Sequence, residues 1–144
     1  KEDFKDFLSK FSPRFLTIIL NPKYQDKISE IRIEGHTSIR KPIDEFSSKY
    51  YQHMVVLSQK RSNKVLEHMM SLDSYTNLTD LDKKRLRFFL TSNGLAFGRS
   101  LDGDNNYKFY SNKNIDKKKS MRVEFKIVTN SQDVINKWFE NFKK

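Results

Sequence analysis

Apolar residues near the start of the chain recur every three or four positions, which is the spacing of one buried helical face. They are Phe4, Phe7, Leu8, Phe11, Phe15, Ile18 and Ile19. Pro13 lies inside this run. With Ser12 as an N-cap and Pro13 at the first helical position, the pattern predicts a kink or a restarted helix, and Asn21-Pro22 ends it.

The same helical spacing returns three times further along the chain. A long helix is predicted from about Ser47 to Leu72, with one face formed by Tyr51, Val55, Ser58, Ser62, Val65, Leu66 and Met69. A short helix starts near Thr79, and its predicted buried residues are Leu81, Leu86 and Phe89. The last helix is capped by Ser131 and is predicted to bury Val134, Ile135, Trp138 and Phe142.

Alternation of apolar and polar residues, the spacing of a half-buried strand, appears in other stretches. "ISEIRIEG" alternates over residues 28–35 and ends at a glycine. A second strand is predicted over residues 90–97, interrupted by Gly94, and a third in "MRVEFKIVTN". Residues 102–120 are the most polar segment and predict a long mobile loop.

The order of these elements predicts the fold class. Helix, strand, long helix, short helix, strand, strand and helix are expected to form an α/β (α+β) two-layer sandwich, with a small mixed β-sheet packed on long helices. No repeat or linker divides the chain, so residues 1–144 are predicted to be a single domain, long enough to bury its own core.

Composition narrows the possible partners. The net charge of +10 and the pI near 9.7 favour a polyanionic partner such as nucleic acid, an anionic membrane or a carboxylate-rich cell wall. No apolar run approaches the roughly 20 residues that span a bilayer, and the start does not have the pattern of a secretory signal. Because the chain begins at Lys1 and not at methionine, we expect an export signal or membrane anchor upstream.

The sequence contains no recognisable motif for metal binding or catalysis. "DGDNNY" begins like a calcium loop, but Tyr107 replaces the required glycine and Lys113 replaces the bidentate glutamate. The histidines at 36, 53 and 68 do not have zinc-like spacing, and there is no cysteine. We therefore expect neither a metal nor a cofactor, and a protein that is not an enzyme.

Two segments have a more specific pattern. "IRIEGHTS" is a strand ending in G-H-T-S, and "LSQKRSNKVLEHM" lies on the long helix. Together with "LTSNGLAFGRS" and "SMRVEFKI", in this order, they resemble the OmpA-like peptidoglycan-binding domain of porin tails, peptidoglycan-associated lipoproteins and MotB-type stator anchors. The resemblance covers about residues 28–128 and implies a β/α/β/α/β order, here with extra N- and C-terminal helices.

The resemblance also implies a ligand, the peptide stem of the cell wall, commonly its diaminopimelate residue. It places the binding site on Thr37, Ser38, Leu57, Ser58 and Arg61, with His36 and Arg122 as supporting residues. The Arg61 guanidinium would take a stem carboxylate in a bidentate fork. Residues 35–38 would form a pocket floor facing Arg61, and His36 would orient the loop through its ring nitrogens without contacting the ligand.

The chain departs from the family pattern at positions that matter for binding. Ser38 stands where the family has an aspartate that receives the ligand's ammonium group, and Met54 stands where it has an asparagine. A charge-assisted hydrogen bond contributes roughly 1.5–3 kcal/mol against about 1 for a neutral one, so we expect weaker diaminopimelate binding. Asp44 and Glu45, in the same loop, are candidates to replace the lost charge.

The preferred interpretation is a non-catalytic module that anchors a larger envelope protein to peptidoglycan, in the periplasm and tethered to the membrane by an upstream segment. Within the family, the G-H-T-S variant and "LSQKRS" indicate MotB-like stator subunits, including those of phage-defence motors, which implies a membrane motor partner and a homodimer. Two alternatives remain: a nucleic-acid-binding domain that uses lysines with Tyr107, Phe109 and Tyr110, or an OmpA-like scaffold without a ligand pocket.

Overall fold

The computed structural model describes residues 2–130, 136 and 139–141. Its helices are α1 (Glu2–Ile19), α2 (Ser48–Ser71), α3 (Asp73–Thr76), α4 (Asp80–Phe89) and α5 (Lys117–Ser120), and its strands are β1 (Ile28–Gly35), β2 (Leu90–Gly94) and β3 (Val123–Thr129). Short 3-10 turns span Pro22–Tyr24, Pro42–Phe46 and Lys108–Tyr110. The predicted C-terminal helix depends on Ser131, Val134, Ile135, Trp138 and Phe142, which lie outside the described residues.

The described strands form one mixed sheet in the order β2-β1-β3. β1 pairs in parallel with β2, from Ile31 opposite Leu90 to Gly35 opposite Gly94. It pairs antiparallel with β3, where Gly35 lies opposite Val123. Because α2 and α4 connect the two parallel strands and pack with the sheet, the predicted two-layer α/β sandwich is confirmed.

Helix α1 runs through Pro13 without a restart, so the predicted N-cap at Ser12 is wrong. Ser12 is instead fully buried within the helix. An interior proline costs a helix about 3 kcal/mol. The packing of Phe11 and Phe15 on Phe125 of β3, with ring centroids 4.9 and 5.5 Å apart, together with other buried residues of α1, offsets that cost.

Some predicted buried positions are exposed because the packed face of each helix is narrower than the sequence pattern indicates. Phe4, Phe7 and Ile18 of α1 are exposed, as is Leu81 of α4. On α2 the buried positions are Met54, Ser58, Ser62, Val65 and Met69, so Met54 takes the place predicted for Tyr51.

Helix α2 lies against the sheet at unusually short range. A Cβ atom on Gly35 would lie 2.1 Å from the backbone oxygen of Ser58, and one on Gly94 would lie 2.5 Å from the backbone nitrogen of Gln59. The small residues Ser58 and Ser62 are fully buried at this contact. This contact fixes the middle of α2 above the end of β1.

The segment after β2 differs from the prediction. The strand ends at Gly94 and not at Phe97, and Ala96 adopts a positive φ of 51°, which is incompatible with extended backbone. The predicted mobile loop over residues 102–120 contains organised structure. The buried Asp102 carboxylate accepts hydrogen bonds from the backbone of Asp104 and Asn106, each at 2.9 Å, and from Ser111 Oγ at 2.5 Å.

Candidate functional site

The residues that directly follow β1 are buried and held by backbone hydrogen bonds. The His36 N–H donates to the Arg122 carbonyl oxygen at 2.9 Å, and the Thr37 N–H donates to the Ala96 carbonyl oxygen at 2.8 Å. His36, Thr37 and Ser38 are all buried. This segment therefore joins the tip of β1 to the start of β3 and to the loop after β2.

Arg61, half-buried on α2, reaches this strand tip. Its Nη1 donates to the His36 carbonyl oxygen at 3.1 Å. Within the described residues, no carboxylate lies within 4 Å of its guanidinium. The contact uses one of the five N–H donors of the side chain, so the charge and most of the donors are available to an anionic ligand.

Arg122, which directly precedes β3, lies at the same strand tip, but its side chain is engaged in internal contacts. Its Nε lies 2.6 Å from Glu124 Oε1, and its two terminal nitrogens donate to the carbonyl oxygens of Ser120 and Arg99, each at 3.2 Å. Burial opposes ionisation of Glu124, but the hydrogen bond and charge of Arg122 outweigh it and lower the pKa of that carboxyl. The Arg122 side chain is therefore held in place, and its positive charge is paired with Glu124.

A cleft of about 720 Å³ opens between the first turns of α1, the middle of α2 and the start of β3. It is lined by Phe4, Lys5, Leu8, Arg61, Lys64, Val65, His68, Met121, Arg122 and Val123. Leu8 and Val65 are buried, whereas Lys5 and Lys64 are exposed. The volume falls in the range of roughly 300–1,000 Å³ that small-ligand sites occupy.

The lining of the cleft is cationic and apolar. Lys5, Arg61, Lys64 and Arg122 carry positive charge, and none of the described lining residues is acidic. Of these four cations, Arg122 alone is paired with a carboxylate within the described residues. The cleft is therefore suited to a ligand that combines carboxylates with aliphatic groups.

The predicted site residues separate into two groups. Arg61 and Arg122 line the cleft, whereas Thr37, Ser38, Leu57 and Ser58 do not contribute to its lining. Ser58 Oγ accepts from the Ala96 N–H at 3.0 Å and donates to the Val55 carbonyl oxygen at 2.9 Å. The Ser58 side chain thus links the loop after β2 to α2 by a hydrogen bond.

His36 contributes through its backbone and not through its ring, contrary to the sequence-based expectation. Neither ring nitrogen has a hydrogen-bond partner among the described residues, although Nε2 lies 3.5 Å from Glu34 Oε2. Burial, reinforced by the positive charge of Arg122, lowers the pKa of His36 to about 4. The ring is therefore neutral at physiological pH.

His36, Glu34 and Glu124 bring three potential metal-ligand atoms within 4.8 Å of one another. Both carboxylates already have cationic neighbours. Lys126 Nζ lies 3.4 Å from Glu34 Oε2, and Arg122 Nε lies 2.6 Å from Glu124 Oε1. A divalent cation would meet these fixed positive charges. The arrangement fits a buried charge cluster better than a metal centre.

The sequence analysis missed the contribution of Lys5, Lys64 and His68 to the cleft. A signal existed for two of them, since positions 64 and 68 follow Arg61 at the three- and seven-residue spacing of one helical face. For Lys5 there was none, because its position depends on how α1 packs beside α2.

These features define the class: an α/β sandwich module with a basic, ligand-sized cleft at the tip of its central strand. The sequence is 29% identical over 137 residues to Zorya protein ZorB of Escherichia coli. The alignment covers 95% of this chain and 53% of that protein, so the chain spans about half the length of the curated relative it matches. No protein-family model matches the sequence, and no solved structure matches it.

Within the described part of the chain, no helix combines the length and the hydrophobicity needed to cross a lipid bilayer.

Proposed function

We propose that the chain is a non-catalytic peptidoglycan-binding module, which anchors a larger envelope or stator-type protein to the cell wall through the peptide stem. The observation that carries the proposal is Arg61, which lines the cleft with a guanidinium that has no carboxylate partner among the described residues. A stem carboxylate would supply that partner.

The chemistry of the cleft matches a stem peptide in two respects. A guanidinium binds a carboxylate through two parallel N–H···O bonds, an interaction worth roughly 1.5–3 kcal/mol per charge-assisted bond. Phe4, Met121 and Val123 offer apolar contacts for the methylene chain of a diamino acid. Both parts of such a ligand would therefore be complemented.

The similarity to Zorya protein ZorB over 95% of the chain supports the stator-type and phage-defence placement of this proposal. On this proposal the chain lies in the periplasm, and a segment upstream of Lys1 tethers it to the membrane and to a motor subunit. A stator-type module would also act as a homodimer.

Co-sedimentation of the purified chain with isolated cell-wall sacculi tests the proposal. We expect Arg61→Ala to reduce retention by about tenfold, the effect of losing a charge-assisted contact. Lys60→Ala is the matched control, because Lys60 is an exposed cation of the same helix that does not line the cleft. Absence of retention for the unmodified chain would favour a scaffold without a ligand pocket.

One surface feature favours nucleic-acid binding as a second candidate. Phe109 and Tyr110 are 84% and 82% exposed, and Lys108 adjoins them. Aromatic faces beside lysines can stack on single-stranded bases. Binding of that kind would weaken by orders of magnitude between roughly 50 and 200 mM salt and would not respond to Arg61→Ala.

A further inference from the structure

We infer that the cleft recognises the stem peptide through two separate anionic groups and leaves the ligand's ammonium group in solvent, with the N-terminal helix α1 supplying part of the second anion site. This inference rests on the proposed function. It concerns which groups of the ligand are recognised and which part of the chain recognises them.

The first anion site lies at the strand tip. Arg61 and Arg122 both contact the backbone of His36, Arg61 through its side chain and Arg122 through its carbonyl oxygen. Arg122 is held by Glu124, so Arg61 provides the uncompensated charge there. A carboxylate that binds at this end would lie beside a guanidinium already oriented by its contact with the strand.

The second anion site lies further along the cleft. Lys64 follows Arg61 by one helical turn, about 4.5 Å along the axis of α2, and His68 follows by about another 6 Å. Lys5 borders the same cleft from α1. Neither lysine forms an ion pair within the described residues, and both are exposed. Two exposed ammonium groups without ion-pair partners among the described residues therefore border the cleft beyond the strand tip.

A carboxylate that could pair with a ligand ammonium is absent from the described lining of the cleft. Ser38 does not line it, and its Oγ has only a long contact of 3.5 Å to the Ile39 carbonyl oxygen. The Asp44 carboxylate accepts a hydrogen bond from the Lys41 N–H at 3.2 Å, at the start of the 3-10 turn that contains Asp44. Neither Asp44 nor Glu45 lines the cleft. An ammonium placed inside would meet cations, so it is more stable in water.

Calorimetric titration with three synthetic peptides tests the inference. The parent probe is Ala-Glu-diaminopimelate with free carboxylates and a free side-chain amine. In the second probe the amine is acetylated, and in the third the side-chain carboxylate of the last residue is amidated. We expect acetylation to change the affinity by less than about threefold and amidation to weaken it by about tenfold or more, since amidation removes one charged partner.

Lys5→Ala tests the part played by α1. We expect it to weaken the parent and acetylated peptides by about three- to tenfold, whereas Lys60→Ala should leave both affinities unchanged. Lys5 is exposed and has no internal ion pair within the described residues, so its removal should not unfold the chain.

The outcomes separate this inference from the proposed function. If the parent peptide binds but acetylation weakens it more than amidation does, the carboxylate-only recognition is wrong while the anchoring function stands. If Lys5→Ala binds the parent peptide as tightly as the unmodified chain, α1 supplies no part of the second anion site, and that part of the inference is wrong. If neither the peptides nor sacculi bind, the proposed function fails as well.

Discussion

The Nη1 atom of Arg61 donates a hydrogen bond to the backbone carbonyl oxygen of His36 at 3.1 Å, which joins the middle of α2 to the tip of β1. The contact orients the guanidinium before any ligand arrives. Because a planar guanidinium presents its donors in a fixed geometry, orienting one edge also sets the direction of the others. The strand tip thereby positions the residue on which the proposed function depends.

This geometry predicts that Arg61→Lys is not a conservative change. Lysine keeps the charge but has neither the bidentate fork nor the fixed direction. We expect sacculus retention to fall by about three- to tenfold, less than for Arg61→Ala. The free energy of unfolding should change by about 1 kcal/mol or less, since a single hydrogen bond is lost. Retention equal to that of the unmodified chain would show that charge alone is sufficient.

The close approach of α2 to β1 predicts a large effect of Gly35→Ala. The added Cβ would lie 2.1 Å from the Ser58 carbonyl oxygen, a backbone atom that cannot rotate away. We expect a loss of about 3 kcal/mol in the free energy of unfolding, measured by urea denaturation.

Gly103→Ala is the control for that experiment. A Cβ at Gly103 would meet no atom within 4 Å, so the change should stay within about 0.5 kcal/mol. Equal stabilities of the two variants would mean that the helix and the strand are further apart than the structure shows.

Regular periodicity explains why much of the fold could be predicted from the sequence. The predicted strand over residues 28–35 agrees with β1, and the long helix from about Ser47 to Leu72 agrees with α2 to within one residue at each end. In both segments buried residues recur at the regular spacing of the secondary structure, so the sequence alone indicates the element. The predicted restart of the helix at Pro13 was wrong, because the packing of α1 on Phe125 overrides the tendency of proline to end a helix.

The candidate site was less predictable, because it depends on contacts between distant segments. Arg61 could be proposed from a motif, and its hydrogen bond to the His36 carbonyl oxygen does not involve α1. Lys5 lies 56 residues earlier and reaches the same cleft only because α1 packs beside α2. Similarly, the polar sequence of residues 102–120 gave no indication that Asp102 would be buried, and its carboxylate accepts a hydrogen bond from Ser111, nine residues further along the chain.

The buried imidazole of His36 predicts that stability falls as the solution is acidified. Burial and Arg122 lower its pKa from 6.5 to about 4, while Glu34 and Glu124 oppose this shift and Lys126 adds to it. Below about pH 6.5 the unfolded chain takes up a proton that the folded chain does not. The contribution of His36 to the free energy of unfolding is therefore fully present above that pH, and it decreases as the pH falls toward 4.

We expect a loss of about 2 kcal/mol in the free energy of unfolding between about pH 7.5 and about pH 5. Urea denaturation at a series of pH values measures it. The pKa of Glu124 is below its usual value, so that carboxyl contributes only at more acidic pH. A free energy that stays constant over this range would indicate that the imidazole is accessible to water or takes up a proton in the folded state.

The hydrogen bonds of Asp102 predict a specific weakness of the loop that it organises. The Ser111 hydroxyl, together with the backbone N–H groups of Asn106 and Asp104, lowers the pKa of Asp102 to about 2. In Asp102→Ala these donors lose their acceptor, and the lysines at 108 and 113 should become several-fold more susceptible to trypsin. The matched control is Asp104→Ala, which removes an exposed ion pair with Lys113 and should leave the cleavage rate nearly unchanged, since exposed pairs contribute little. If both variants were cleaved at the rate of the unmodified chain, the loop would be held by contacts other than the Asp102 carboxylate.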